Sequence, residues 1–222
     1  TTFALGGSIA VNETKNTLIA AVKNASNIQA KSTVDITAKD SSSLVVFSGA
    51  GAGSKGVAVG FSIASTVANN SVKAFIDSSI VNSTTGNVQV TANVLPPATP
   101  SDFTAQGLSD DDLPDEVDLG AQIISVAVAG SGSLAGGAAA GSISRNLMKN
   151  SVESYISGDS SRVEAAGDVD VKALDQSTVI SVALGLSGAS SNAGGVAISH
   201  NYIGGNNFDL SPYLTSTFLS SG

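Results

Sequence analysis

Val34-Asp35-Ile36-Thr37-Ala38, Val88-Gln89-Val90-Thr91-Ala92 and Val169-Asp170-Val171-Lys172-Ala173 are three versions of one pentapeptide. Each alternates apolar and polar side chains with period two, so Val34, Ile36 and Ala38 face one way and Asp35 and Thr37 the other, as in a strand with one buried face. Positions 34 and 88 lie 54 apart, and positions 88 and 169 lie 81 apart. A second marker has nearly the same spacing: Gly7-Ser8-Ile9-Ala10, Phe61-Ser62-Ile63-Ala64 and Gly141-Ser142-Ile143-Ser144. The segments beginning at Asn16, Asn70 and Asn150 also align, and a partial fourth copy starts at Gly195-Val196-Ala197-Ile198-Ser199. Two independent markers at one spacing identify an internal repeat of about 54 residues.

The longer second interval has a visible cause. From Val94 to Leu119 the alternation stops, and the stretch VLPPATPSDFTAQGLSDDDLPDEVDL holds every proline but Pro212. It reads as an insertion looping out between copies. The units then span about 3–56, 57–136 with the insertion, and 137–194, with a partial unit at 195–205 and a tail at 206–222 that caps the core or docks elsewhere. Each unit also carries a Gly-Ala-Ser tract, such as Ser48–Ser54 or Ala129–Ser133, flanked by strand-like segments.

One such unit cannot bury its apolar face alone, whereas stacked copies share a continuous core. The expected fold is all-β: a repeat β-solenoid, read as a right-handed parallel β-helix with ~54-residue units and about two coils per unit. The alternative is an antiparallel β-sandwich or meander in which each Gly-rich tract is a hairpin turn.

Composition narrows the function classes. With 42% apolar and 13% charged residues among 222, the chain is not intrinsically disordered. It has no cysteine, which excludes disulfides and thiolate metal sites. A net charge of −8 with no basic stripe argues against nucleic-acid binding. The run from Leu119 to Ile143 is uncharged and long enough to span a bilayer, but its Gly, Ser and Ala content and its counterparts elsewhere argue against a transmembrane helix. The chain starts at Thr1 without an initiator Met or a signal-type segment, as expected of a processed product or an excised fragment.

Candidate sites are few. His200 is the one histidine, and no Gly-x-Ser-x-Gly elbow marks a serine for it to activate. Asp35 and Asp170 occupy equivalent outward positions, with Gln89 between them in the repeat, which reads as a solvated strand face. Two arginines and ten aromatics are thin provision for a polysaccharide cleft. No catalytic residue and no resident cofactor is expected. The insertion carries Asp102, Asp110, Asp111, Asp112, Asp115, Glu116 and Asp118. Of these, Asp110, Asp111, Asp112, Asp115, Glu116 and Asp118 are the candidate calcium ligands, since hard cations prefer carboxylate oxygens, although the EF-hand and β-roll spacings are absent. The tail keeps Phe208, Leu210, Tyr213, Leu214, Phe218 and Leu219, a candidate self-association segment.

The frame of Gly-rich tract, Val-Ala-Val, Asn-x-x-x-Asn, Ala-x-Val and Val-x-Val-x-Ala resembles the repetitive passenger or stalk regions of large bacterial surface proteins, the autotransporter-type adhesins and giant filamentous cell-surface proteins. Ser8–Asn12, Ala20–Val22, Val34–Ser41 and their counterparts carry the likeness, which covers most of the chain except the insertion and the tail. The resemblance implies extracellular display at the cell surface, a solenoid-like stalk, and contact with sister molecules or surfaces. The expected function is that of a non-enzymatic, self-assembling structural module of a filament, stalk or layer, with copies of itself as partners. An adhesin module contacting a host or sister-cell ligand is the alternative, and a β-helix polysaccharide enzyme is a third reading.

Overall fold

The period-two segments fold as strands throughout. The computed structural model describes residues 2–97 and 121–204, and among these it contains fourteen strands and no helix. In chain order they are β1 (Phe3–Thr14), β2 (Thr17–Val22), β3 (Asn27–Ala30), β4 (Val34–Asp40), β5 (Leu44–Ser54), β6 (Val57–Asp77), β7 (Ile80–Ser83), β8 (Val88–Val94), β9 (Ile123–Ser133), β10 (Ala138–Ser157), β11 (Arg162–Ala165), β12 (Val169–Asp175), β13 (Val179–Ala189) and β14 (Ala193–Ile203).

Every pairing is parallel, and the strands form four sheets. The first sheet runs β1 and β2, β6, β10, β14; the second β3, β7, β11; the third β4, β8, β12; the fourth β5, β9, β13. The antiparallel alternative therefore does not hold. Phe3 pairs with Val57 and Val34 with Val88, each 54 positions along, and between such partners the chain visits all four sheets once. That is one circuit per repeat interval, where the sequence reading had two. We call the successive circuits tiers: β1–β5, β6–β9, β10–β13, and β14 alone.

The Gly-Ala-Ser tracts are not turns. They lie inside β5, β9 and β13, and glycines of the first sheet facing them allow two backbones to touch. A Cβ on Gly60 of the first sheet would fall 2.2 Å from the Gly130 carbonyl oxygen of the fourth, and one on Gly6 would fall 2.1 Å from that of Gly51. The facing interior positions are small as well: Ala58, Ser62, Ala64, Thr66 and Ala68 on β6 against Val46, Ser48, Ala127 and Ala129. This half of the molecule is a thin two-sheet layer.

Many of its polar side chains are hydrogen-bonded across the layer, to one another or to backbone carbonyls, as burial favours, while the buried Ser142 hydroxyl has no partner among the described residues. The Ser62 hydroxyl donates to the Ser48 carbonyl at 2.8 Å, and Thr66 and Ser125 share a hydrogen bond of 2.7 Å. Asn146 accepts from Ser125 and donates to the Ile180 carbonyl at 2.7 Å and to Asn201 Oδ1 at 2.9 Å.

The second half of the first sheet faces the second and third sheets across a conventional core. Val72, Ala74 and Ile76 pack on Val81, Val88, Val90, Ala92, Val94, Ile36 and Ala38. Here the expected alternation holds, with Val88, Val90 and Ala92 fully buried while Gln89 and Thr91 point out.

Short polar corners join the sheets. Between the third and fourth sheets, Asp40 Oδ1 accepts from the Ser42 amide at 2.9 Å, and Asp175 Oδ1 accepts from the Ser177 amide at 3.0 Å, the same Asx-type turn in two tiers. The residue in register with both aspartates is Val94, where the insertion leaves. The base of the detour is closed by Gln122 Nε2 donating to the Leu95 carbonyl at 3.0 Å, so the chain re-enters at the corner it left. Between the first and second sheets, Gly158 takes a φ of +88°, and a side chain there would collide with Ser78. From Ala121 to Ile143 the uncharged run forms β9, a corner and the start of β10. Among the described residues no helix is long and apolar enough to cross a membrane.

Candidate functional site

The sequence candidates for chemistry do not converge. His200 lies on β14 beside its register partner Arg145, on the outer face of the first sheet. Asp35, Gln89 and Asp170 do stand in one column, as the repeat implied, on the outside of the third sheet. Asp170 is 3.5 Å from Lys172 on its own strand, and both are partly solvated, an ordinary surface ion pair. No group of three or more acidic or histidine side chains among the described residues is placed to hold a metal. Asp110, Asp111, Asp112, Asp115, Glu116 and Asp118 lie outside the described residues, as do Phe208, Leu210, Tyr213, Leu214, Phe218 and Leu219.

What the fold does present is edges and faces. The third sheet ends at β4 on one side and β12 on the other, and the second and fourth sheets end in the same way. Core-facing Val90, in the middle tier, is fully buried, whereas its register partner Val171 in the last tier is 42% exposed. Val88 and Val169 differ likewise. Among the described residues the apolar interior thus opens at the end of the stack, bordered by parallel strands with no described strand opposite their outer backbone groups.

The outer face of the first sheet is divided. Over its second half the outward residues are mixed: Ile19 of β2 is exposed beside Lys73, Lys73 bonds its register partner Glu153 at 3.0 Å, and the rings of Phe75 and Tyr155 stack with centroids 5.0 Å apart. The Lys73 hydrogen bond, with a second from Ser151, holds the Glu153 carboxyl below the usual carboxylate range. Over the first half large apolar side chains of β1 and β6 stand outward among glycines. Phe3, Leu5, Ile9 and Val11 of β1 are each at least 65% exposed, and Val57, Phe61 and Val196 also reach solvent. Because the thin layer admits mostly small side chains between β6 and the Gly-rich tracts, with Met148 and Ile123 packed only at its inner end, the bulky members of the alternation are turned outward. Composition could not reveal this face. The signal was in the phase of β6, where Val57, Val59, Phe61 and Ile63 alternate with Ala58, Gly60, Ser62 and Ala64.

Comparison of the chain with protein-family models, curated proteins and solved structures finds no match.

Proposed function

We propose that the chain is a non-catalytic, self-assembling structural module: a parallel β-solenoid of ~54-residue units that extends by stacking tier upon tier into a filament, stalk or layer. The observation that carries this reading is the open end of the core, where Val171 keeps 42% of its surface exposed while its in-register counterpart Val90 keeps none. A further tier laid on β12 would bury Val169 and Val171 and pair the outer backbone groups of β11 to β14, which have no strand partner among the described residues, repeating contacts that already join the tiers within the chain. Such nearest-neighbour stacking is the way repeat arrays gain stability. The next tier can come from a further repeat of the same chain or from a second molecule. Extracellular display rests on the resemblance of the repeat frame to bacterial passenger and stalk regions.

Negative-stain microscopy and sedimentation of the purified chain test the reading. The expected result is elongated assemblies that disappear in Val171→Lys, which places a charge on the open core end. Discrete single copies at all concentrations, or assemblies indifferent to Val171→Lys, would count against it.

A further inference from the structure

We infer that the aliphatic outer face of the first sheet is a side-to-side pairing surface for a second copy of this chain, with a two-fold axis running along the strands between β6 and β10. The inference goes beyond end-on stacking and stands on a different surface.

Size comes first. Four strands at ~4.8 Å spacing and about ten residues at ~3.3 Å rise give a face of about 600 Å². Two such faces bury about 1,200 Å² in total, the lower bound of standard specific interfaces. Apolar side chains cover much of this face, with Ser65, Arg145 and His200 at one end, and an apolar patch of this order lies at the upper end of what a single chain carries, where such patches are often functional.

The occupant follows from the pattern of bumps and hollows. A two-fold axis along the strands sets the first tier of one copy against the fourth tier of the other, and the second against the third. One outward column is Gly7, Phe61, Gly141 and Val196. Under this axis Phe61 meets Gly141, and Val196 meets Gly7, so each large side chain faces a glycine. The neighbouring column is Leu5, Val59, Ala139 and Gly194, which sets Leu5 on Gly194 and Val59 on Ala139. The third column is isoleucine throughout, Ile9, Ile63, Ile143 and Ile198, and meets itself. The hollows are open space: a Cβ on Gly7 or Gly194 would touch nothing within 4 Å, and one on Gly141 only the edge of Phe61 at 3.8 Å. No like charges confront each other, since Arg145 faces Ser65 and Glu13 faces Tyr202. A two-fold axis across the strands sets each strand against its own reversed copy, so that Phe61 of β6 meets another β6 side chain (Phe61, Ile63 or Ser65 for an axis at row 61, 62 or 63) and never the glycine of a neighbouring strand. The face is complementary to its own rotated image, which favours a second copy over an unrelated partner.

The test is a bump-and-hollow exchange read by sedimentation equilibrium, in the Val171→Lys background so that end-on growth does not contribute. The parent should form a two-copy species. Gly141→Phe fills the hollow that receives Phe61 while leaving room within its own chain, and should weaken pairing by at least about a hundredfold with the far-UV spectrum unchanged. Adding Phe61→Ala moves the bump to the other side of the axis and should restore the pair. A single-copy parent would overturn the inference. So would a Gly141→Phe variant that still pairs, or a folded double variant that does not. Failure of end-on stacking alone would leave this outcome unaffected.

Discussion

Gly60→Ala adds one methyl group where two sheets touch, and its cost can be worked from the geometry. The new Cβ would sit 2.2 Å from the Gly130 carbonyl oxygen and 3.0 Å from its carbon, against about 3.4 Å for ordinary contact. The obstacle is backbone in the middle of β9, so no side-chain rotation relieves it. The sheets must part locally by about 1.2 Å, the difference between 3.4 Å and 2.2 Å. That movement stretches the hydrogen bonds from Ser62 to the Ser48 carbonyl, from Ser62 to the Ser48 hydroxyl, and between Thr66 and Ser125, now 2.8, 2.9 and 2.7 Å, beyond useful range. Overpacking of a tight interior costs about 1–3 kcal/mol and each lost bond about 1 kcal/mol, so a partly relaxed structure should lose about 3–5 kcal/mol. Gly132→Ala is the matched control. It lies on the neighbouring sheet, and its Cβ would meet nothing within 4 Å, so relief of unfolded-chain entropy should make it neutral or stabilising by up to about 1 kcal/mol. Urea unfolding monitored by far-UV circular dichroism measures both. Equal effects of the two substitutions, or a Gly60→Ala cost below about 0.5 kcal/mol, would refute the backbone-contact account of the thin layer.

Three further outcomes are expected. Val90→Ala should cost about 2–3 kcal/mol and Val171→Ala less than about 1 kcal/mol, because the first residue is fully buried and the second is 42% exposed; urea midpoints compare them. Asn146→Leu should cost about 2–4 kcal/mol by taking one partner each from Ser125, the Ile180 carbonyl and Asn201, whereas Asn146→Ser should cost less; thermal melts order the two. The depressed Glu153 carboxyl contributes stability that is present above the usual carboxylate range and lost as the pH falls through its lower folded value. The pair is largely solvated, so Lys73→Met should remove only a few tenths of a kcal/mol, and the difference should vanish in acid or high salt.

The repeat was legible because identical positions in successive tiers obey identical constraints. Val34, Val88 and Val169 do stand side by side in one sheet, and so do Ile9, Ile63 and Ile143. The longer second interval was legible for the opposite reason, since alternation stops over Val94 to Leu119, from the last residue of β8 to just before β9. Alternation reports that a segment has two faces but not which is inside, nor how many strands complete a circuit. Hence the two-coil expectation, which the four-sheet circuit replaces. The Gly-rich tracts left the antiparallel alternative open, in which each would be a hairpin turn, because glycine serves turns and close backbone approach alike; their place inside β5, β9 and β13 removes the turn reading. For the same reason the aliphatic face stayed hidden. Phe61 and Ile63 look like core residues until glycine and serine are seen to fill the interior opposite them.

The serine- and asparagine-lined interior bears on how the molecule responds to temperature. The heat-capacity increment of unfolding rises with newly hydrated apolar area and falls with newly hydrated polar area. In the thin half the interior releases hydroxyls, amides and methyl groups, while residues such as Leu5 and Ile9 are already largely wet in the folded chain. The two contributions offset each other there, and the stability curve of that half is correspondingly flat. Cooling, which weakens an aliphatic core, takes little from a layer joined by hydrogen bonds.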